Sequence, residues 1–193
     1  TGWQAETLDA DIREAQISLA IDAGGNPHIG FTSWPFPRHG LDYLRWDGAN
    51  WQRERLDLAQ TLGKGTALAL DSQGRPHIAY ADGQYGDLRY VSSAPRWQSR
   101  AAENSGPNNG LALGQRADAP ILAYHRGSSG QLTVNRWNDG WQADPLRSLT
   151  PATEHTSLVV SDRQLHLTYY DAAAQRLVYG TSQEPGVWGY RTV

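Results

Sequence analysis

Apolar and polar residues alternate along most of this chain in short runs, and the runs return in a fixed order. Leu19-Ala-Ile-Asp-Ala-Gly-Gly-Asn-Pro-His-Ile-Gly-Phe31 and Leu68-Ala-Leu-Asp-Ser-Gln-Gly-Arg-Pro-His-Ile-Ala-Tyr80 are two copies of one pattern, with further copies at Leu111 to Tyr124 and Leu158 to Tyr169. A second pattern, Leu-x-Tyr or Leu-x-Val, follows each at Leu41/Tyr43, Leu88/Tyr90, Leu132/Val134 and Leu177/Tyr179. A tryptophan then opens a third: Trp51-Gln-Arg-Glu, Trp97-Gln-Ser-Arg, Trp141-Gln-Ala-Asp and Trp188-Gly-Tyr-Arg. Alternation with a period of two predicts strands. In the first copy these are Ser18 to Asp22, Pro27 to Thr32, Leu41 to Trp46 and Trp51 to Leu56.

Turn chemistry agrees with this division. Asp22-Ala-Gly-Gly and Asp71-Ser-Gln-Gly separate alternating runs, where a carboxylate can bond the turn backbone and glycine can take positive φ. Pro27, Pro76 and Pro120 stand at the first residue of a strand, where a missing N–H is tolerated. The best helical signal, Leu8 to Gln16, is weak.

Trp3-Gln-Ala-Glu adds a fifth tryptophan element ahead of the first full copy, and the five tryptophans lie 48, 46, 44 and 47 residues apart. A period of about 40 to 50 residues that holds four short strands is the signature of a β-propeller blade. The expected fold is therefore all-β, a propeller of four-stranded antiparallel blades near 18-57, 67-103, 110-147 and 157-193, with an extra N-terminal outer strand at 1-9. Four complete copies with five outer strands do not close simply. The count predicts a chain cut from, or paired into, a larger ring, with a homo-oligomer formed by blade or strand pairing as the expected partner.

Composition fits short aromatic strands: 193 residues with 20 Gly, 8 Trp and 9 Tyr but only 2 Phe. The net charge is -3 and Lys64 is the only lysine, so no basic footprint for nucleic acid exists. No apolar run approaches the roughly 18 residues of a membrane span. Without cysteine there is no disulfide, thiolate metal site or thiol nucleophile. The chain begins at Thr1 with no leader pattern, which suggests a processed end or the edge of a longer polypeptide.

Several motifs bear on chemistry. His28, His77 and His166 share one strand register, but neighbouring blades would hold them about 10 Å apart, too far for ligands near 2 Å from zinc. They read as structural, each donating to a backbone carbonyl, as do the packing tryptophans Trp3, Trp51, Trp97, Trp141 and Trp188. No metal and no cofactor are expected. The turn aspartates offer one carboxylate each, too few for calcium. Leu62-Gly-Lys-Gly-Thr66 lacks the upstream glycine of a phosphate loop. No Gly-x-Ser-x-Gly elbow is present. Asp82 and Asp171 share the end of the second strand on alternate blades, with Ser33 and Arg126 at the other two registers, and form a candidate glycosidase pair.

The pattern Leu-x-Leu-Asp-x-x-Gly-x-Pro-His-Ile-x-Tyr, with its later tryptophan, resembles the Trp-rich repeat propellers of bacterial secreted and surface proteins. That resemblance implies lectins, adhesion modules or enzyme appendages, and an extracellular or cell-surface setting. Sialidase relatives carry a Ser-x-Asp-x-Gly-x-Thr-Trp box, whose spacing Asp47-Gly-Ala-Asn-Trp51 and Asn138-Asp-Gly-Trp141 do not keep. Hemopexin domains need a disulfide. The leading expectation is thus a non-enzymatic, lectin-like binding module for a glycan or protein surface. The alternatives are a self-assembling propeller fragment and a glycoside-hydrolase-like propeller. The ligand is expected on the face of the longer loops, at Trp34, Phe36, Arg38, His39, Tyr85, His125, Arg126 and His155, where aromatic rings and planar donors gather.

Overall fold

The computed structural model describes residues 2, 4–8, 13–34, 40–57, 62–82, 87–93, 98–104, 109–126, 129–144, 146, 156–161 and 163–193. Sixteen strands form four antiparallel sheets, and no helix occurs among the described residues. Blade one is β1 (Arg13–Ile21), β2 (Pro27–Trp34), β3 (Gly40–Trp46) and β4 (Trp51–Asp57). Blade two is β5 (Leu62–Leu70), β6 (Pro76–Asp82), β7 (Asp87–Ser92) and β8 (Gln98–Asn104). Blade three is β9 (Asn109–Arg116), β10 (Ala119–His125), β11 (Leu132–Trp137) and β12 (Trp141–Asp144). Blade four is β13 (Thr156–Ser161), β14 (Gln164–Asp171), β15 (Arg176–Glu184) and β16 (Val187–Thr192). Each sheet runs in sequence order, so every blade is a meander. The weak helical signal fails where it is described: Arg13 to Gln16 belong to β1, because their alternation continues into the strand.

The first strands pack on one another in succession, β1 on β5, β5 on β9 and β9 on β13, which makes them the inner strands of an arc of blades. Apolar cores fill the spaces between blades. Leu41 and Tyr43 of blade one meet Leu68, Ile78 and Tyr80 of blade two. Leu88 and Tyr90 meet Leu113, Leu122 and Tyr124 in the next space, and Ile121, Leu132 and Val134 meet Leu158, Leu167 and Tyr169 in the last. The alternation dictates this: along each second strand, one set of side chains faces the preceding blade and the other set the following blade. A small residue receives a large one across the space, and a Cβ on Gly30 would already lie 3.4 Å from Ile78. Gly114 is tighter, since a Cβ there would come within 2.8 Å of Val160.

The first hairpins differ in construction. In blade one the Asp22 carboxylate accepts from the backbone N–H of Gly24 and of Asn26, both at 2.8 Å. Asp71 does the same for Gln73 and Arg75 at 2.9 Å. Blade three instead uses two residues, Ala117 and Asp118, both at positive φ, the type I′ geometry that suits twisted strands. Residues 4–8 belong to no strand, and Glu6 accepts from the Trp51 indole N–H at 3.4 Å.

Candidate functional site

Two rims bound the arc. At the first, where the second strands end, one register holds Ser33, Asp82, Arg126 and Asp171 in blades one to four. Ser33, Asp82 and Asp171 are buried and Arg126 is half-buried. Asp82 is ion-paired to Arg89 Nε at 2.9 Å, and Asp171 accepts from the Ala174 N–H at 3.0 Å and faces Arg176 Nη2 at 3.4 Å. Asp42, fully buried in β3, receives Arg53 and Arg55 from β4, each at 3.0 Å. His125 is buried next to Arg126. The rim thus alternates carboxylate, arginine and carboxylate over blades two, three and four, while blade three separates the two aspartates along the arc.

Of the ligand residues expected from sequence, Phe36, Arg38, His39, Tyr85 and His155 lie outside the described residues, as do Trp3 and Trp97 among the packing tryptophans. Trp34 ends β2, its backbone paired with Arg13. The structure brings His125 and Arg126 together on this rim with the aspartates.

The opposite rim carries the histidines. Each Nδ1 meets a tyrosine hydroxyl of the neighbouring strand: His28 with Tyr43 at 2.5 Å, His166 with Tyr179 at 2.6 Å, and His77 with Tyr90. Nε2 of His28 lies 3.5 Å from Asp22 and that of His77 3.4 Å from Asp71. The backbone carbonyl expected as partner is therefore corrected to a tyrosine hydroxyl in all three blades, extended to a tyrosine, histidine and aspartate chain for His28 and His77. Its geometry is diagonal, because Tyr43 pairs with Gly30 and not with His28 itself. Burial pushes the Tyr43 hydroxyl well up and the His77 imidazole down, with Asp71 opposing the latter. A neutral imidazole donating from Nε2 and accepting at Nδ1 satisfies both neighbours. No group of three or more metal-ligating side chains occurs among the described residues.

A groove of about 370 Å³ also opens on this rim between blades three and four, lined by Arg116, Ile121, Arg136, Trp137, Gln142 and Asp144 among others. Its charges are spent within the fold. Arg136 Nε and Nη2 both hold Asp144 at 2.5 Å, and Arg116 donates to the Gln183 carbonyl at 2.5 Å. In sequence this rim is marked by the recurring pairs Trp46/Trp51 and Trp137/Trp141, which stand edge-on at 5.6 and 5.4 Å, whereas the expected ligand residues belong to the other rim.

No protein-family model matches the chain, and no curated protein sequence matches it. Solved structures do. An exo-β-1,3-galactanase of Phanerochaete chrysosporium, determined with galactose, is 7% identical with a TM-score of 0.62, over 92% of this chain and 49% of its own. An α-L-arabinanase of Penicillium chrysogenum with arabinobiose is 12% identical with a TM-score of 0.63, over 92% of this chain and 65% of its own. A glycoside hydrolase of Xanthomonas citri with xylose is 14% identical with a TM-score of 0.56, over 96% and 75%. This chain spans about half the length of the galactanase. The neighbours are five-bladed β-propellers, and the all-β propeller architecture expected from the repeat holds. The expectation of a non-enzymatic binding module is corrected. Glycoside hydrolases predominate among the folds that superpose on this chain, beside a chain of a nidogen/laminin complex that is 17% identical with a TM-score of 0.54, and among the readings drawn from sequence they favour the hydrolase-like alternative.

Proposed function

We propose that this chain builds most of the catalytic propeller of a glycoside hydrolase acting on a neutral glycan. The observation that carries this reading is the superposition on glycoside-hydrolase propellers, with Asp82 and Asp171, buried rim carboxylates at one register of alternate blades, as its candidate acidic groups. Glycosidic cleavage passes through an oxocarbenium-like transition state and uses two carboxyl groups about 5 to 10 Å apart; because a whole blade separates Asp82 from Asp171, each is a candidate for one of the two roles and not half of a single pair. Asp82, ion-paired to Arg89, is suited to stand as an anion beside the positive charge that builds on the sugar ring. Asp171 is held by a turn amide, so it is oriented before substrate arrives, as electrostatic stabilisation requires. Arg126 supplies planar N–H donors for sugar hydroxyls between them. Propellers host many activities, and the neighbouring hydrolases supply the substrate class by analogy alone. A polymeric glycan does not cross a membrane unaided, so the reading implies work outside the cytoplasm. No helix among the described residues is long and apolar enough to cross a membrane.

The test is hydrolysis of arabinan, β-1,3-galactan and xylo-oligosaccharides by the parent and by Asp82→Asn and Asp171→Asn, with released sugars measured by chromatography. The parent should cleave at least one glycan. Each variant should lose about 100-fold or more in kcat, on the scale of losing one preorganised stabilising group. A parent inactive on all three glycans, or two asparagine variants of parental activity, would overturn the assignment.

A further inference from the structure

Each of the three inter-blade spaces buries the same register positions, and the two ends of the arc leave those positions bare. On the inner strands, Leu68, Leu113 and Leu158 pair with equivalent residues of the second strands and are at most 7% exposed, whereas Leu19 of blade one is 60% exposed. Ile17 and Ile21 flank it, also exposed. On the third strands, Leu41, Leu88 and Leu132 are at most 2% exposed, whereas Leu177 of blade four is 45% exposed, with Tyr170 paired to it and also exposed, as is Val159 on the inner strand of the same blade. A leucine kept at a blade-contact register but left in water marks a contact whose other half lies elsewhere.

We propose that these two bare faces are the walls of a slot for one fifth blade, filled by a further three-stranded copy of this chain's own repeat. Three observations fix the occupant. The arc superposes on five-bladed propellers over 92% of its length, so its curvature leaves the width of one blade open. The sequence holds five tryptophan-led segments against four inner sets, so one such segment, the N-terminal one, has no inner three strands of its own. Finally, one wall of the slot keeps the tyrosine that elsewhere receives a tryptophan. In the space between blades two and three, Trp141 of the outer strand stands edge-on to Tyr90 at 5.3 Å. The equivalent Tyr179 of blade four instead lines a groove of about 340 Å³ with Gln164, Thr181, Gly189, Tyr190 and Arg191. The N-terminal copy supplies the matching residue in sequence, Trp3, and its Glu6 already bonds Trp51 on the far wall of the slot. A second copy of the whole chain fits less well, because two arcs with five-blade curvature would overlap before they close.

This inference is independent of the catalytic reading and is tested on stability. A copy of residues 62–93, the inner three strands of blade two, is joined after Val193 through a flexible Gly-Ser linker. The extended chain should melt about 5 to 10 °C above the parent and remain a monomer by sedimentation. Leu19→Asp and Leu177→Asp should each remove that gain while shifting the unextended chain by no more than about 2 °C, because both side chains are water-exposed there. Unchanged melting on extension, or a gain that survives both aspartates, would overturn the proposal. So would a parent that sediments as a dimer and is made monomeric by Leu19→Asp, which assigns the faces to a second copy.

Discussion

Asp22 and Asp71 show how a single side chain can close a hairpin and also set a titration. The side-chain and backbone N–H groups of Asn26 hold the Asp22 carboxyl at about 2, and the Gly24 amide adds to them. For Asp71, burial pushes upward, but the amide and guanidinium of Arg75 outweigh it and the carboxyl stays below its usual range. His77 moves the other way from a free imidazole, because its burial disfavours the cation. Both kinds of shift make the unfolded chain bind protons that the folded chain refuses. Stability should therefore fall with pH, first below about 6.5 as unfolded His77 protonates, then between about 4 and 2 as the aspartates do. Calorimetric melting from pH 8 to 3 checks this, and His77→Gln should flatten the upper stage. A midpoint that climbs between pH 7 and 5 would contradict the sign. The turn role of the aspartates was legible in Asp-x-x-Gly. The tyrosine partner of each histidine was not, because it depends on a strand register offset by two residues that composition does not encode.

Strands and blades add context that the repeat hides. The five tryptophans occupy one sequence position, yet the structure gives the described ones different neighbours. Trp141 packs edge-on to Tyr90 of the preceding blade at 5.3 Å and to Trp137 at 5.4 Å, and it borders the core between blades two and three. Trp51 meets Trp46 at 5.6 Å and Glu6, and no preceding blade stands beside it among the described residues. Trp141→Ala should cost about 2 to 3 kcal/mol, toward the lower end for a buried aromatic since Trp141 is only half-buried. Trp51→Ala should cost about 1 kcal/mol or less, from lost edge contact alone. Urea unfolding of both variants separates the two, and equal losses would mean that position in the blade, not the neighbouring blade, sets the tryptophan's worth. Periodicity revealed the blades because alternation and turn residues are local. Which copy stands at an end of the arc is a property of neighbours, and four aligned segments look alike in one dimension.

Across the whole molecule, the arc behaves as a short one-dimensional array. Each inner strand packs on the inner strands of adjacent blades, so blades two and three have two interfaces and blades one and four have one. In such arrays stability is close to a sum of repeat and interface contributions, and opening starts where an interface is missing. The exposed Ile17, Leu19 and Ile21 at one end and Val159, Leu177 and Val187 at the other are the places where burial is already forfeited. Amide hydrogen exchange followed by mass spectrometry should show β6 and β10, central strands of the inner blades with fully buried Ile78 and Leu122, exchanging slowest. β16, an outer strand of blade four whose residues are exposed or half-buried, should exchange among the fastest, at least 100-fold faster than β10. Equal protection of all four blades would mean that the chain opens only as a unit, and the nearest-neighbour description would then be wrong. Occupation of the slot by a fifth blade gives the end blades their second interface, so it should slow exchange in β1 and β14 by a larger factor than in β6 and β10.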